Sequence, residues 1–265
     1  MTRIRFHIGA HKTATTHLQM ALADCRLAAG TRYVPLKRLR MTLTSPVRKG
    51  RPHLPWHRWY GGTWLFSDEN ILGTTEHSLR MYPDPAHALR HFLDCELSVF
   101  LCVRRYDTFL ASAYGERLWR HPFRPFPGEL PARRWPDVVR DLQHDLPGVP
   151  LHLWRYEDYR SHASQIVQHY AGDAIELFGA PLQRDPKSGF SGRAVAELAL
   201  LGGRRPRKAE VLRLREAFPI SPEYPRFNPW SADEQLRLEE MYVEDLAVLG
   251  ALADLWTPGR EPSAG

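Results

Sequence analysis

Between Phe6 and Gln19 the chain reads FHIGAHKTATTHLQ, and the residue types in that stretch are suited to gripping an anion. A short apolar run ends at Gly9, a turn follows with Lys12, Thr13, Thr15 and Thr16, and good helix formers take over. Backbone N–H groups at a helix N-terminus, aided by the helix dipole, bind phosphate-like anions. A lysine adds a mobile positive charge, and threonine hydroxyls add short donors. His11 and His17 flank the turn, where they would polarise it. The order Gly-x-x-Lys-Thr-Ala-Thr-Thr is not the nucleotide-triphosphatase loop, which needs Gly-Lys-Ser/Thr after a first glycine and four residues. No Asp is obvious at the end of an apolar strand to hold magnesium, so the expectation is an anion cradle that works without a metal.

Such a turn needs a strand to aim it and a helix to seat it. RIRFHIG at 3–9 reads as that strand, and residues 14–28 place Leu18, Ala21, Leu22 and Cys25 at helical spacing with Gly30 as a stop. Strands are predicted at 31–35 and 63–66, the second running into Ser67, Asp68, Glu69 and Asn70. A helix is predicted at 84–95, with Pro85 in its first turn. ELSVFLCVR at 96–104 is a near-continuous apolar run, as in strands buried on both faces of a parallel sheet. The helix after it has Asp107 as its N-cap. A further strand is predicted at 149–156, and helices at 134–145, 160–178, 191–202, 206–217 and 231–253. The alternation gives an α/β fold, a parallel β-sheet flanked by helices with a helical C-terminal portion. The 22 prolines cluster at 46–55, 122–136 and 219–229, which read as loops and not as interdomain linkers. One domain over 1–256 and a disordered tail at 257–265 are expected.

Composition narrows the function classes. Hydrophobic residues make up 43% and charged residues 25% of the 265, which excludes wholesale disorder and collagen-like order. No run of 18 apolar residues occurs, so no membrane span is expected, and the first residues lack a signal-peptide core, so a cytoplasmic protein is expected. The three cysteines, Cys25, Cys95 and Cys102, show no CxxC spacing, and Cys102 lies in an apolar run as a core residue would. Net charge is +6, and only five of the 36 basic residues are lysine. That balance suits phosphate, sulfate or carboxylate ligands.

AHKTATTHLQ resembles the 5′-phosphosulfate loop of sulfotransferases that use 3′-phosphoadenosine 5′-phosphosulfate (PAPS), whose usual pattern is Lys-[Ser/Thr]-Gly-Thr-Thr after a strand. The family's second signature is an Arg closing a buried strand, with a Ser eight positions on in the next helix. VRRYDTFLAS carries Arg104 and Ser112 at that spacing. Similarity continues through SDEN at 67–70, RYED at 155–158 and WSADEQLRLEEMYVEDL at 230–246. The resemblance implies a P-loop-like sulfotransferase fold. It implies transfer of a sulfuryl group from PAPS, the co-substrate, to a hydroxyl (less often an amine) of a carbohydrate or small metabolite, by in-line displacement with a general base. It implies Lys12, Thr13, Ala14, Thr15 and Thr16 around the phosphosulfate, beside His11, with Lys12 meeting the bridging oxygen. Arg104 and Ser112 would hold the 3′-phosphate, and Lys187, Ser188 and Arg193 would close over it from a late loop. Two departures stand out. Ala14 replaces the glycine, which matters if that position needs φ > 0, and Tyr106 replaces a common proline. Arg105 is an alternative to Arg104, since strand neighbours face opposite sides.

Related enzymes use Glu or His as the base. Glu69 follows a strand at the end where ligands bind in open α/β sheets, and His53, His57 and His77 are the imidazole alternatives. Trp56, Trp59, Tyr60, Trp64 and Phe66 would form an acceptor wall or core, and 119–135 mixes Arg with aromatics. No nucleic-acid module accompanies that mixture, so no nucleic-acid partner is expected. A nucleotide-dependent kinase and a catalytically inactive nucleotide-binding relative are the competing readings. The sequence leaves acceptor identity and oligomeric state open.

Overall fold

The structure, a computed structural model, describes residues 2–53, 57, 60–84, 88–177 and 189–259. Its elements in chain order are β1 (Thr2–His7), α1 (Thr15–Asp24), β2 (Arg26–Leu27), β3 (Thr31–Tyr33), α2 (Leu36–Leu39), α3 (Ser45–Arg48), β4 (Gly62–Ser67), α4 (Thr75–Leu79), β5 (Glu96–Val103), α5 (Tyr106–Leu118), α6 (Trp135–Asp145), β6 (Leu151–Arg155), α7 (Tyr156–Ala171), β7 (Ile175–Leu177), α8 (Gly192–Leu200), α9 (Lys208–Ala217), α10 (Ala232–Leu252) and β8 (Asp254–Leu255). Six strands form one sheet in the order β3-β4-β1-β5-β6-β8, with every pairing parallel. A separate antiparallel pair joins β2 to β7.

The apolar run of β5 explains the sheet's place in the molecule. Leu97, Val99, Leu101 and Val103 face one core cluster with Phe6, Phe66 and Trp135, while Phe100 and Cys102 face another with Leu18, Leu22 and Trp154. Alternate residues therefore serve opposite faces, and helices cover both. Each fully buried large side chain contributes about 1.5–3 kcal/mol. Cys102 is wholly buried, and burial pushes its thiol pKa up, as suits a core residue.

From β1 the chain builds β3 and β4 on one side and then crosses to β5 on the other. Ligands in open α/β sheets bind beyond the strand C-termini at such a reversal. His7 and Ser67, the last residues of β1 and β4, pair in register, and β5 runs three residues beyond the His7–Phe100 pair to Val103.

Several expectations need correction. Residues 89–92 form a single 3₁₀ turn, not a long helix, because Leu89 and Phe92 are both buried three positions apart, on one side of such a turn. The proline cluster at 46–55 begins inside a helix. A π-helical turn, Arg40–Thr44, links α2 to α3, and Pro46 sits in the first turn of α3. The helix expected at 160–178 starts earlier, at Tyr156, kinks at His162 and ends at Ala171. Sequence reading missed the short elements α4, β2, β7 and β8. Of the expected tail, 257–259 are described and 260–265 lie outside the described residues. No described helix is long and apolar enough to cross a membrane.

Candidate functional site

The turn after β1 is pinned before it reaches the helix. Ile8 and Ala10 donate their N–H groups to the carbonyls of Phe100 and Cys102 at 2.9 and 3.2 Å, which continues the sheet beyond β1. Lys12 (φ 61°) and Ala14 (φ 62°) then adopt left-handed backbone. Position 14 therefore does need the conformation that glycine supplies in the pattern it resembles. Ala14 holds it at a cost of about 1 kcal/mol.

Ala14 is also the N-cap of α1, and no side chain caps that helix. The first intrahelical bond runs from Leu18 N–H to Ala14 C=O, so the N–H groups of Thr15, Thr16 and His17 have no partner within the helix. The Thr13 and Thr15 hydroxyls turn inward and donate to Ala10 C=O at 2.7 and 3.3 Å. In this conformation they brace the turn. Thr16 is half-buried and makes no hydrogen bond through its hydroxyl among the described residues.

Lys12 reaches over α5, where its Nζ lies 3.6 Å from Glu116 Oε2. Arg104, just past β5, donates from Nη1 to the Lys12 carbonyl at 2.5 Å and from Nε to Thr108 Oγ1 at 3.0 Å. Its guanidinium carbon stands 4.2 Å from the Tyr156 ring centroid. Burial lowers the Arg104 pKa, but a guanidinium stays protonated, and three of its five N–H groups make no described bond. Thr108, Ser112 and Glu116 recur every four residues along α5, so Ser112 lies one turn from the partner of Arg104 and one turn from that of Lys12.

Arg105 takes a different course. Its guanidinium pairs with Asp107 (3.0 Å) and Glu239 (3.3 Å), so it faces carboxylates, and Arg104 is the one tied to the turn. Tyr106, in place of proline, is fixed by its neighbours. Its hydroxyl donates to Asp245 and accepts from Trp135 N–H, and Trp135 Nε1 donates to Arg104 C=O at 2.8 Å. Three long-range bonds thus constrain a backbone that proline would constrain locally.

On the other flank, β4 delivers Asp68 and Glu69. Asp68 caps the 3₁₀ turn by accepting from Asn70 N–H at 3.0 Å, and it also holds Arg40 and Thr44. Its oxygens are therefore structural. Glu69 packs directly on the turn, since a Cβ placed on Gly9 would come within 3.0 Å of Glu69 Cβ. Glu69 Oε1 lies 3.1 Å from Arg40 Nη2, while Oε2 is buried and accepts no hydrogen bond.

His11 is wholly engaged. Tyr82 Oη accepts from His11 N–H at 2.9 Å and lies 2.9 Å from Nδ1, so the phenol's own hydrogen goes to Nδ1. Nε2 then carries the ring proton and donates to Asn70 Oδ1 at 3.1 Å. Burial lowers the His11 pKa, which favours this neutral form. His11 therefore locks the turn to the Glu69 segment and offers no ring nitrogen to a cofactor.

The other candidate imidazoles make structural contacts. The His57 ring has no exposure, packs against Phe66 and Phe92 at 6.2 and 5.5 Å, and its carbonyl accepts from Thr2 at the opposite end of β1. This corrects its catalytic assignment, because no acceptor reaches it there. His77 Nδ1 accepts from Thr74 N–H in a helix cap, and His53 meets His91 edge to face. Trp64 and Phe66 are core residues. The 119–135 segment is largely structural, with Phe126 packed on Tyr114 and Trp230 and Arg134 paired with Asp245. Trp56, Trp59, Lys187 and Ser188 lie outside the described residues. Arg193 pairs with Glu197 at 2.6 Å.

Sequence reading missed Glu116, Arg40, Tyr82 and the exposed Arg226, whose charge acts on Arg104. No local motif marks any of them, and each meets its partner through the fold. Among the described residues, one group has metal-ligating side chains close together: His152, His169 and Asp254. It belongs to the start of β6, the last turn of α7 and the start of β8, not to the strand ends that carry the turn.

No family model matches the chain, and no curated protein matches it. Among solved structures the chain is similar to one described as the crystal structure of a sulfotransferase from Alicyclobacillus acidocaldarius. The two share 14% identity and a TM-score of 0.44, over 82% of this chain and 96% of that one.

Proposed function

We propose that the chain is a sulfotransferase that moves a sulfuryl group from PAPS to a hydroxyl of a carbohydrate or small metabolite. One observation carries the reading: Arg104 Nη1 bonds the Lys12 carbonyl at 2.5 Å, so the two turns proposed to bind anions, 92 residues apart in sequence, lie side by side. A carrier with a phosphosulfate at one end and a phosphate at the other needs two such sites. The uncapped start of α1 and Lys12 fit the first group, and the spare N–H groups of Arg104, with Ser112, fit the second.

PAPS supplies an activated sulfuryl group. The residues contribute positioning and charge. The N–H groups of Thr15 to His17 fix the phosphosulfate oxygens, and Lys12 meets the negative charge left on the departing bridging oxygen. Arg104 and Ser112 hold the far end of the nucleotide and so set the line of attack. Glu69 is the general base, because its Oε2 keeps lone pairs unclaimed by the protein. Arg40 orients the carboxylate by holding Oε1.

The test is transfer of labelled sulfate from PAPS to a panel of hydroxyl acceptors, with and without magnesium. The expected result is metal-independent transfer that falls at least 100-fold in Glu69→Gln, with nucleotide affinity retained. Magnesium-dependent ATP turnover would instead make the chain a kinase. Nucleotide binding with no transfer to any acceptor would make it an inactive relative.

A further inference from the structure

A cleft of about 680 Å³ opens beside the π-helical turn. Four of its eight lining residues are cations, Lys37, Arg40, Lys49 and Arg51, and none is acidic or aromatic. Among the described residues, Lys37, Lys49 and Arg51 have no carboxylate partner. Three like charges without a carboxylate partner around one concavity repel each other and concentrate the field inside it, which favours an anionic occupant.

The charge there is not a by-product of an arginine-rich composition. From residue 25 to residue 67 the chain has nine Lys or Arg residues and no Asp or Glu. The remainder has 27 cations against 30 carboxylates and is net negative, so the basic character of the protein resides in this one segment. Two of the chain's five lysines, Lys37 and Lys49, line the cleft.

Arg40 ties the cleft to the proposed base. Its Nε and Nη2 hold Asp68, and Nη2 also holds Glu69 Oε1 at 3.1 Å. Nη1 makes no bond among the described residues, and Arg40 itself lines the cleft. An occupant anchored by its anionic groups would therefore have its hydroxyls near Glu69. Leu36, Met41 and Pro46 give the wall apolar patches suited to the C–H face of a sugar ring.

On the sulfuryl-transfer reading above, we propose that this cleft is the acceptor site and that the acceptor is itself anionic, an oligosaccharide bearing carboxylate or sulfate groups. A single-stranded nucleic acid would want stacking rings, and the cleft has none. A flat anionic surface could not enter a concavity.

The experiment is calorimetric titration with three probes: a tetrasaccharide containing glucuronic acid, a neutral chitin tetrasaccharide and an octathymidylate. The proteins are wild type and Lys37→Glu/Lys49→Glu, both checked for an unchanged melting profile. 3′-Phosphoadenosine 5′-phosphate is titrated in parallel. The acidic tetrasaccharide is expected to bind wild type at least tenfold more tightly than the neutral one. Its affinity is expected to fall at least tenfold in the double variant and to weaken as salt rises. Equal binding of acidic and neutral probes, no loss in the variant, or tighter binding of the octathymidylate would overturn the inference. If the nucleotide binds and the acidic saccharide does not, the inference fails and the sulfuryl-transfer reading stands. The converse result keeps a saccharide site and removes that reading.

Discussion

Glu116 pairs with Lys12 at 3.6 Å, and both side chains are about four-fifths buried. An incoming phosphosulfate must share Lys12 with it. An anion oxygen in contact with Nζ sits roughly 2.8 Å beyond it, hence at most about 6.4 Å from the Glu116 carboxylate. Repulsion at that separation is about 0.6 kcal/mol at a water-like dielectric and about 2.6 kcal/mol at an effective value near 20. A partly buried pair lies between, near 1–1.4 kcal/mol, which is a factor of five to ten in affinity. Glu116→Gln keeps the shape and removes the charge, so 3′-phosphoadenosine 5′-phosphate should bind five- to tenfold more tightly by calorimetry at low salt. The gain should shrink as salt rises. The apoprotein should lose stability by no more than about 1 kcal/mol, since Arg120 at 3.5 Å is mostly exposed and adds little. Unchanged or weaker binding would refute the reasoning and make Glu116 a positioning residue for Lys12.

Ala14→Gly relieves left-handed strain at the N-cap of α1, so it should stabilise the protein by about 1 kcal/mol and raise Tm by about 2 °C in a thermal melt. Ala21→Gly in the same helix should lower it, and a lowered Tm in both would contradict the strain argument. His7 is fully buried with its pKa pushed down to about 3 by that burial. The unfolded chain protonates this side chain below about pH 6.5 and the folded chain does not, so its contribution is full above that pH and is lost as pH falls toward 3. Urea unfolding at pH 7.5 and pH 5 should therefore show about 2 kcal/mol less pH dependence in His7→Gln than in wild type. Equal dependence in the two proteins would mean that His7 is not held neutral.

Legibility in the sequence followed the range of the interactions. The apolar run at 96–104 and the turn between Gly9 and Thr16 could be read directly, because a strand buried on both faces and a strand-to-helix turn leave local patterns. Glu69 could be placed by its position after a strand, yet its partner Arg40 could not, since 28 residues and a π-helical turn intervene. The helix expected at 84–95 failed because short-range periodicity does not separate one 3₁₀ turn from a full helix. His57 failed for a related reason: a histidine between tryptophans looks loop-borne in sequence, and only packing against Phe66 and Phe92 makes it core. The left-handed Ala14 shows the reverse case, where a backbone demand is met by a residue that does not announce it.

The central claim is that two turns hold the two charged ends of one nucleotide. It is tested most directly by calorimetric comparison of 3′-phosphoadenosine 5′-phosphate with adenosine 5′-monophosphate, in wild type and in Arg104→Ala. Charge-assisted bonds to the 3′-phosphate amount to roughly 1.5–3 kcal/mol, so wild type should prefer the bisphosphate by at least tenfold. In Arg104→Ala, with its melting profile verified, that preference should collapse toward unity. Equal affinity for the two nucleotides in wild type, or a preference that survives the loss of Arg104, would contradict the account.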